Sequence, residues 1–269
     1  MSRSLSRWVL CLWIGGLCSA SIASAGESGA ALTGTDPEHI DRLFFEGSEQ
    51  NYQRSGLEIL RQALEACVQA SGERPRDYEI LWRCARSAYK VGEAAEILDL
   101  EGWKEICREW GKKGMEFSER AQQVEPGRVE GYFWETACIG IYADATGALT
   151  AVREGFYEKS KRAMAKAYEI DKSYNDCDPV FGSAMFYIAL PFPLKDKKKA
   201  LTFYREFEAS TQWRQNPYVR SVHAANLILT VKDGNYREEA RRLLEKALSD
   251  PHPRRYYAEW ARRLKEKLE

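Results

Sequence analysis

Catalysis and metal binding need groups that move protons or hold ligands within a few ångströms of one another, and this sequence is sparing with them. It contains three histidines, His39, His223 and His252, far apart along the chain. No two have the H-E-x-x-H spacing that brings two imidazoles onto one zinc. There is no G-x-S-x-G elbow, no Walker A loop and no G-x-G-x-x-G turn. Asp171, Asn175, Asp176 and Asp178 cluster as calcium ligands do, but lack the Asp-x-Asp-x-Asp-Gly frame and the distal glutamate. Asp178, followed by Pro179, is expected instead to cap a helix N-terminus. Among 40 acidic residues, no spacing singles out a carboxylate pair. The expectation is a protein that is not an enzyme, with no catalytic residues, metal or cofactor.

Thiols give no stronger lead. Of seven cysteines, Cys11 and Cys18 lie in the N-terminal apolar stretch, leaving Cys67, Cys84, Cys107, Cys138 and Cys177. No two form C-x-x-C, and an odd number leaves at least one unpaired thiol or a pairing between chains. Core packing is favoured over a disulfide framework, because cysteine is a small apolar residue that suits helix seams.

The aromatic residues stand out: 8 Trp, 14 Tyr and 10 Phe. Tyr132-Phe133-Trp134 and Tyr142 fall on one predicted helix. Phe181, Phe186 and Tyr187 fall on another, followed by Leu190-Pro-Phe-Pro-Leu194. In stacked hairpins the first helix of each pair lines the concave face. With Trp134 packed between helices, Tyr132, Glu135, Ile139 and Tyr142 then point into a groove, and Phe181 and Tyr187 continue it. These six are the expected contacts with a ligand or partner. Tyrosine suits such a face because its hydroxyl resists full burial.

The elements that position these residues are helices throughout. Past residue 35, apolar residues recur with helical period, and no useful length alternates as a half-buried strand would. Thr35-Asp36-Pro37 opens the first helix, with proline at its first position. Further helices are predicted over 51–70, 77–91, 103–124, 129–142, 151–170, 178–190, 197–210, 217–231, 237–249 and from about Arg254, making about eleven. They share a tetratricopeptide-like frame of small, large and small residues at spacing four then three. Ala240, Leu244 and Ala247 fit it, with Pro251 after them. Gly114, Ser118 and Ala121 precede Pro126, and Ser160, Met164 and Ala167 repeat the frame. Ala200 and Tyr204 begin it, with Phe207 in the third place. The fold class is therefore all-α: tetratricopeptide-like stacked helical hairpins forming an α-solenoid.

Residues 1–25 read as a signal peptide. Arg3 and Arg7 precede a short apolar core, and Ala23-Ser-Ala25 is a small-x-small cleavage site. An exported, periplasmic protein without a membrane anchor after cleavage is expected, and no lipobox precedes Cys11 or Cys18. Residues 26–35 form a flexible mature N-terminus, 36–250 the repeat domain and 251–269 a capping helix. On that last helix Tyr257, Trp260, Ala261, Leu264 and Leu268 share one face. Lys+Arg and Asp+Glu balance at 40 each, which disfavours nucleic acid as a partner.

Leu81-Trp-Arg-Cys-Ala-Arg-Ser-Ala-Tyr-Lys-Val-Gly92, Gly114-Met-Glu-Phe-Ser-Glu-Arg-Ala121 and Val124-Glu-Pro-Gly-Arg-Val-Glu-Gly-Tyr-Phe-Trp134 together resemble the T-component family of TRAP transporters. Ala184-Met-Phe-Tyr-Ile-Ala-Leu-Pro191 adds to the likeness, which covers about residues 36–250. A similar Glu-Gly-x-x-Trp helix occurs in the microtubule-dynamics regulator family, which the export signal sets aside. The T-component resemblance implies a periplasmic scaffold that accompanies a solute-binding protein and handles a hydrophobic small molecule. The alternative is an envelope adaptor for protein assembly with no transporter link.

Overall fold

The computed structural model describes residues 34–50, 53–211, 217–251 and 255–269. The expected signal peptide, most of the segment after it and His252 lie outside these residues. The described residues are all-α, in twelve helices with no strand among them, and they divide into two compact units, 34–170 and 171–269.

The first unit holds α1 (Pro37–Glu49), α2 (Arg54–Glu73), α3 (Tyr78–Ile97), α4 (Trp103–Val124), α5 (Val129–Thr146), the short α6 (Ala148–Arg153) and α7 (Phe156–Asp171, its last residue at the boundary). From α1 to α5 each helix packs on the next, and the first helices also meet one another, α1 on α3 and α3 on α5. Asp77 caps α3 by accepting the Glu79 and Ile80 N–H groups at 2.9 and 3.3 Å. One long helix expected over 151–170 is instead two, because Gly155 adopts φ +86, a left-handed turn that glycine enters without a Cβ clash.

The small-residue frame explains the packing distance. A Cβ on Gly111 meets Tyr142 Cβ at 2.9 Å, and one on Gly114 collides with Cys138 Sγ, so α4 and α5 close up where side chains are absent. Ser118 and Ala121 continue that seam, fully buried, and Ser160, Met164 and Ala167 on α7 are buried too. All five described cysteines are free and buried, and Cys67, Cys84, Cys107 and Cys138 each donate to a backbone carbonyl on a facing helix.

The second unit holds α8 (Tyr174–Ala189), α9 (Lys197–Ala209), α10 (Pro217–Val231), α11 (Tyr236–Leu248) and α12 (Arg255–Glu266). Here α8 pairs with α9, α10 with α11, and α12 packs on both α10 and α11. Ala200, Tyr204 and Phe207 of α9 and Ala240, Leu244 and Ala247 of α11 are buried, the frame again facing the seams. Tyr257, Ala258, Ala261, Leu264 and Leu268 form the buried side at α12. Within α8, Asn175, Asp176 and Cys177 are left-handed, at φ 48, 62 and 62. The expected capping role of Asp178 gives way to a different one: its carboxylate accepts from Asn175 Nδ2 at 2.6 Å and from Arg220 Nη2 at 3.1 Å.

Candidate partner-binding surface

On α1, Asp41, Phe44 and Phe45 lie at helical spacing three and four, and on α3 Glu79, Trp82, Arg83 and Arg86 repeat that spacing over two turns. Because α1 packs on α3, the two sets meet. Arg83 Nε donates to both Asp41 oxygens at 3.0 Å and its Nη2 to Oδ2 at 2.8 Å, while Arg86 bonds the same carboxylate. Arg83 Nη1 and Trp82 Nε1 both donate to Glu79 Oε2, at 2.5 and 3.0 Å. Arg128, just before α5, joins Glu79 Oε1 to Glu130 Oε1 at 2.7 Å each, and Tyr78 OH donates to Glu130 Oε2 at 2.9 Å.

Rings fill the spaces between these ions. The Arg86 guanidinium lies 3.8 Å over Phe44, 4.9 Å over Trp82 and 5.6 Å over Phe45. Arg83 lies 4.2 Å over Trp82, and Arg128 lies 4.4 Å over Tyr78. The result is a strip of alternating arginine, aromatic ring and carboxylate across α1, α3 and the start of α5. It is open at its edge, where Phe45 is 36% exposed and the Arg128 and Glu79 side chains 38% and 41%, while Phe44, Tyr78, Trp82 and Arg86 are buried.

The electrostatics hold the strip in one arrangement. Burial pushes the Asp41 carboxyl up, but the Arg86 charge and the Arg83 hydrogen bonds outweigh it and leave it below 3.8. Glu79 behaves likewise: hydrogen bonds from Arg83, Trp82 and Arg128 overcome partial burial and lower it below 4.5. Burial and the adjoining Glu130 raise the Tyr78 hydroxyl, so it stays a donor. Three arginines meet three carboxylates, so little net field extends outward. What the strip offers at its open edge is the Phe45 ring and the Arg128 guanidinium, an aromatic and an arginine of the kind that dominate binding energy at protein interfaces. No nucleophile with an adjacent base lies in it, and no group of three or more metal-ligating side chains occurs among the described residues.

The six residues expected to line a groove sit elsewhere. Tyr132 is half-buried and donates to Pro126 O at 3.1 Å. Glu135 is buried on α5, accepting from Gln122 Nε2 at 2.9 Å and facing Lys159 Nζ at 3.3 Å; burial raises its carboxyl despite both partners. Ile139 is core, and Tyr142 is buried edge-on to Phe156, its hydroxyl donating to Glu154 at 2.6 Å and pushed up to about 12 by burial and that acid. Phe181 is buried against Phe207 and His223, whereas Tyr187 is half-buried and stacks on Phe203 at 6.0 Å. The premise about Trp134 holds, since it is buried beside Phe133 and Tyr89. However, α5 is enclosed almost all round, so its other faces are core too.

The strip was the part sequence reasoning missed. The signal available was Glu79-x-x-Trp82-Arg83-x-x-Arg86, which puts two cations, a ring and an acid on one helix face. Finding Asp41 as their common partner requires knowing how α1 docks on α3.

The second unit carries a different cluster. Arg220 and Asp178 are fully buried, and burial pushes Asp178 up to about 7 against the pull of Arg220 and Asn175. One turn on, His223 is buried among Phe181, Tyr257 and Trp260, and burial takes it down to about 3. His39, by contrast, lies at the surface and pairs with Arg42 at 2.7 Å.

A stack of helical hairpins with an arginine–aromatic surface and no reactive constellation on it defines a helical-repeat protein. More particularly, the chain belongs to the family described as regulator of microtubule dynamics protein 1-3, whose model matches residues 38–212. No curated protein matches the chain. Family membership corrects the resemblance to the TRAP T-component, and with it the transporter role and the periplasmic setting attached to that role. The strings that carried the resemblance, from Leu81 to Pro191, all fall inside the matched span. They are rich in the small residues of helix seams, which unrelated hairpin repeats share for steric reasons. The Glu130-Gly-Tyr-Phe-Trp134 helix was the more informative string. The leader that set this family aside lies outside the match.

Proposed function

We propose that the chain is a non-enzymatic protein-binding module that engages polymerised tubulin through the strip on α1, α3 and α5. The observation that carries this reading is the strip itself: arginines held by carboxylates and stacked on rings across successive first helices, with Phe45, Glu79 and Arg128 open to solvent at its edge. Side chains already fixed by neighbours lose little entropy on binding. Family membership supplies the partner class, because the family's description names microtubule dynamics.

The charge balance makes a further demand. With three arginines neutralised locally, attachment rests on ring and hydrogen-bond contact and depends weakly on salt. Co-sedimentation of the full chain with stabilised microtubules tests the reading. Phe45→Ala combined with Arg128→Ala removes two exposed ends of the strip without opening a cavity. It is expected to weaken binding at least ~10-fold, while Val68→Ala, on exposed α2 surface, leaves it unchanged.

A further inference from the structure

The turn between α8 and α9 carries a feature that the strip does not use. Phe192 is 94% exposed, in Leu190-Pro-Phe-Pro-Leu194. Most exposed apolar side chains lie flat on a surface; this one stands at the tip of a hairpin. Its surroundings in the second unit are cationic. Lys195, Lys197, Lys198 and Lys199 follow within seven residues, against Asp196 as the sole acid, in a chain whose formal net charge is zero. Lys197, Lys198 and Lys199 are exposed and form no ion pair among the described residues. The Asp196 carboxylate is engaged at the α9 N-terminus by the Lys199 N–H at 2.9 Å. Burial and the charge of Lys197 lower Lys195, as expected where like charges crowd.

The backbone of the tip is equally particular. Pro191 and Pro193 have no N–H to leave unsatisfied. The Leu194 and Lys195 N–H groups both donate to Pro191 O, at 2.8 and 3.1 Å, and that of Asp196 donates to Tyr187 O at 3.2 Å. From Pro193 to Asp196 the backbone donors are absent or internally bonded, which lowers the desolvation cost of approaching a low-dielectric layer. Protein partners do not require this, because they can bond to open backbone groups. A projecting ring with lysines behind it also needs either a matching pocket or a deformable layer. An apolar tip, few open backbone donors and a same-sign collar are what a bilayer interface selects.

We propose that the α8–α9 turn is a membrane-docking tip, inserting Phe192 into the headgroup–acyl boundary of an anionic bilayer while Lys197, Lys198 and Lys199 contact lipid phosphates and carboxylates. This is independent of the strip on the first unit. The attachment is peripheral and reversible, since one aromatic ring and three exposed lysines fall far short of a spanning anchor.

Vesicle co-sedimentation of the full chain tests it, using pure phosphatidylcholine and a 7:3 mixture of phosphatidylcholine with phosphatidylserine. The chain is expected to sediment with the mixed vesicles, not with the neutral ones, and to be released at high salt. Phe192→Ala is expected to weaken binding ~10-fold or more. Each Lys→Gln change at 197, 198 or 199 costs about fivefold. All four positions are exposed, so unfolding midpoints stay near wild type, and this distinguishes lost docking from lost folding. Equal sedimentation of wild type and Phe192→Ala, or none with anionic vesicles, overturns the proposal. So does a result in which these variants impair binding to acidic microtubules but the wild type ignores vesicles, which would assign the tip to a protein.

Discussion

In the first unit, Arg83 meets Asp41 with their side chains 13% and 25% exposed, alongside further arginines, acids and rings. In the second, Arg220 meets Asp178 at 0% and 3%, with Asn175 as the other partner of the carboxylate. The two pairs have the same chemistry and bridge the same sequence separation, from one first helix to another. They differ in solvent, and that decides what each can do. Near the surface, an ion pair adds little stability but fixes side chains in a geometry a partner can use. In the core, the desolvation cost is large, so the pair acts mainly as a lock whose breakage is severe.

Arg220→Ala breaks the lock and is expected to have the largest effect, ~3–5 kcal/mol, because it leaves Asp178 buried without its partner and empties the space the guanidinium fills against Phe207. Hydrogen exchange should rise in α8 and α10 peptides while α3 is unchanged. Arg220→Met combined with Asp178→Asn should recover much of the loss, since no buried charge is left unmatched.

The second unit should also hide a pair of opposing titrations. Asp178 is raised from 3.8 to about 7, so its contribution is full below 3.8 and lost as pH rises through 7. His223 is lowered from 6.5 to about 3, so its contribution is full above 6.5 and lost as pH falls toward 3. Between about pH 4 and 6.5 the two slopes cancel. His223→Phe should therefore expose a decline in stability as pH rises through this window, and Asp178→Asn a decline as pH falls. Each is expected to reach ~2 kcal/mol in urea unfolding at several pH values. Parallel pH profiles for both variants and wild type would contradict the assignment.

The smallest effect belongs to the strip. Arg83→Ala should cost about 1–2 kcal/mol in stability, less than Arg220→Ala because Asp41 is partly exposed and keeps Arg86, and is read as a modest shift in the unfolding midpoint. Asp41, held below 3.8, adds stability that is present above that value and lost as pH falls through the lowered one. If Arg83→Ala proved as damaging as Arg220→Ala, the contrast between the units would collapse.

Helix content and pairing were legible because small residues recur in frame, and Ala121, Ala167, Ala200 and Ala240 are all buried in seams as that frame requires. Trp103–Val124 and Pro217–Val231 matched their predicted spans, being bounded by glycine or proline signals. The break at Gly155 was not legible, since an isolated glycine is tolerated within a helix. Nor was the orientation of α5: with apolar residues on every side, periodicity offers no polar face from which to place Glu135 or Tyr142. The strip and the lock were hidden for a third reason. Asp41 finds Arg83, and Asp178 finds Arg220, only through hairpin register, and a degenerate repeat leaves that register open. The family, too, was misread: the leader, which lies outside the matched region, set aside the microtubule-dynamics family although Glu130–Trp134 is similar to it.

Binding of the full chain to stabilised microtubules, with and without Phe45→Ala and Arg128→Ala, tests the proposed role most directly. The expected result is saturable binding that changes little with salt and falls at least ~10-fold in the double variant at an unaltered unfolding midpoint. Equal binding by the double variant, or no binding by the folded wild type, would contradict it.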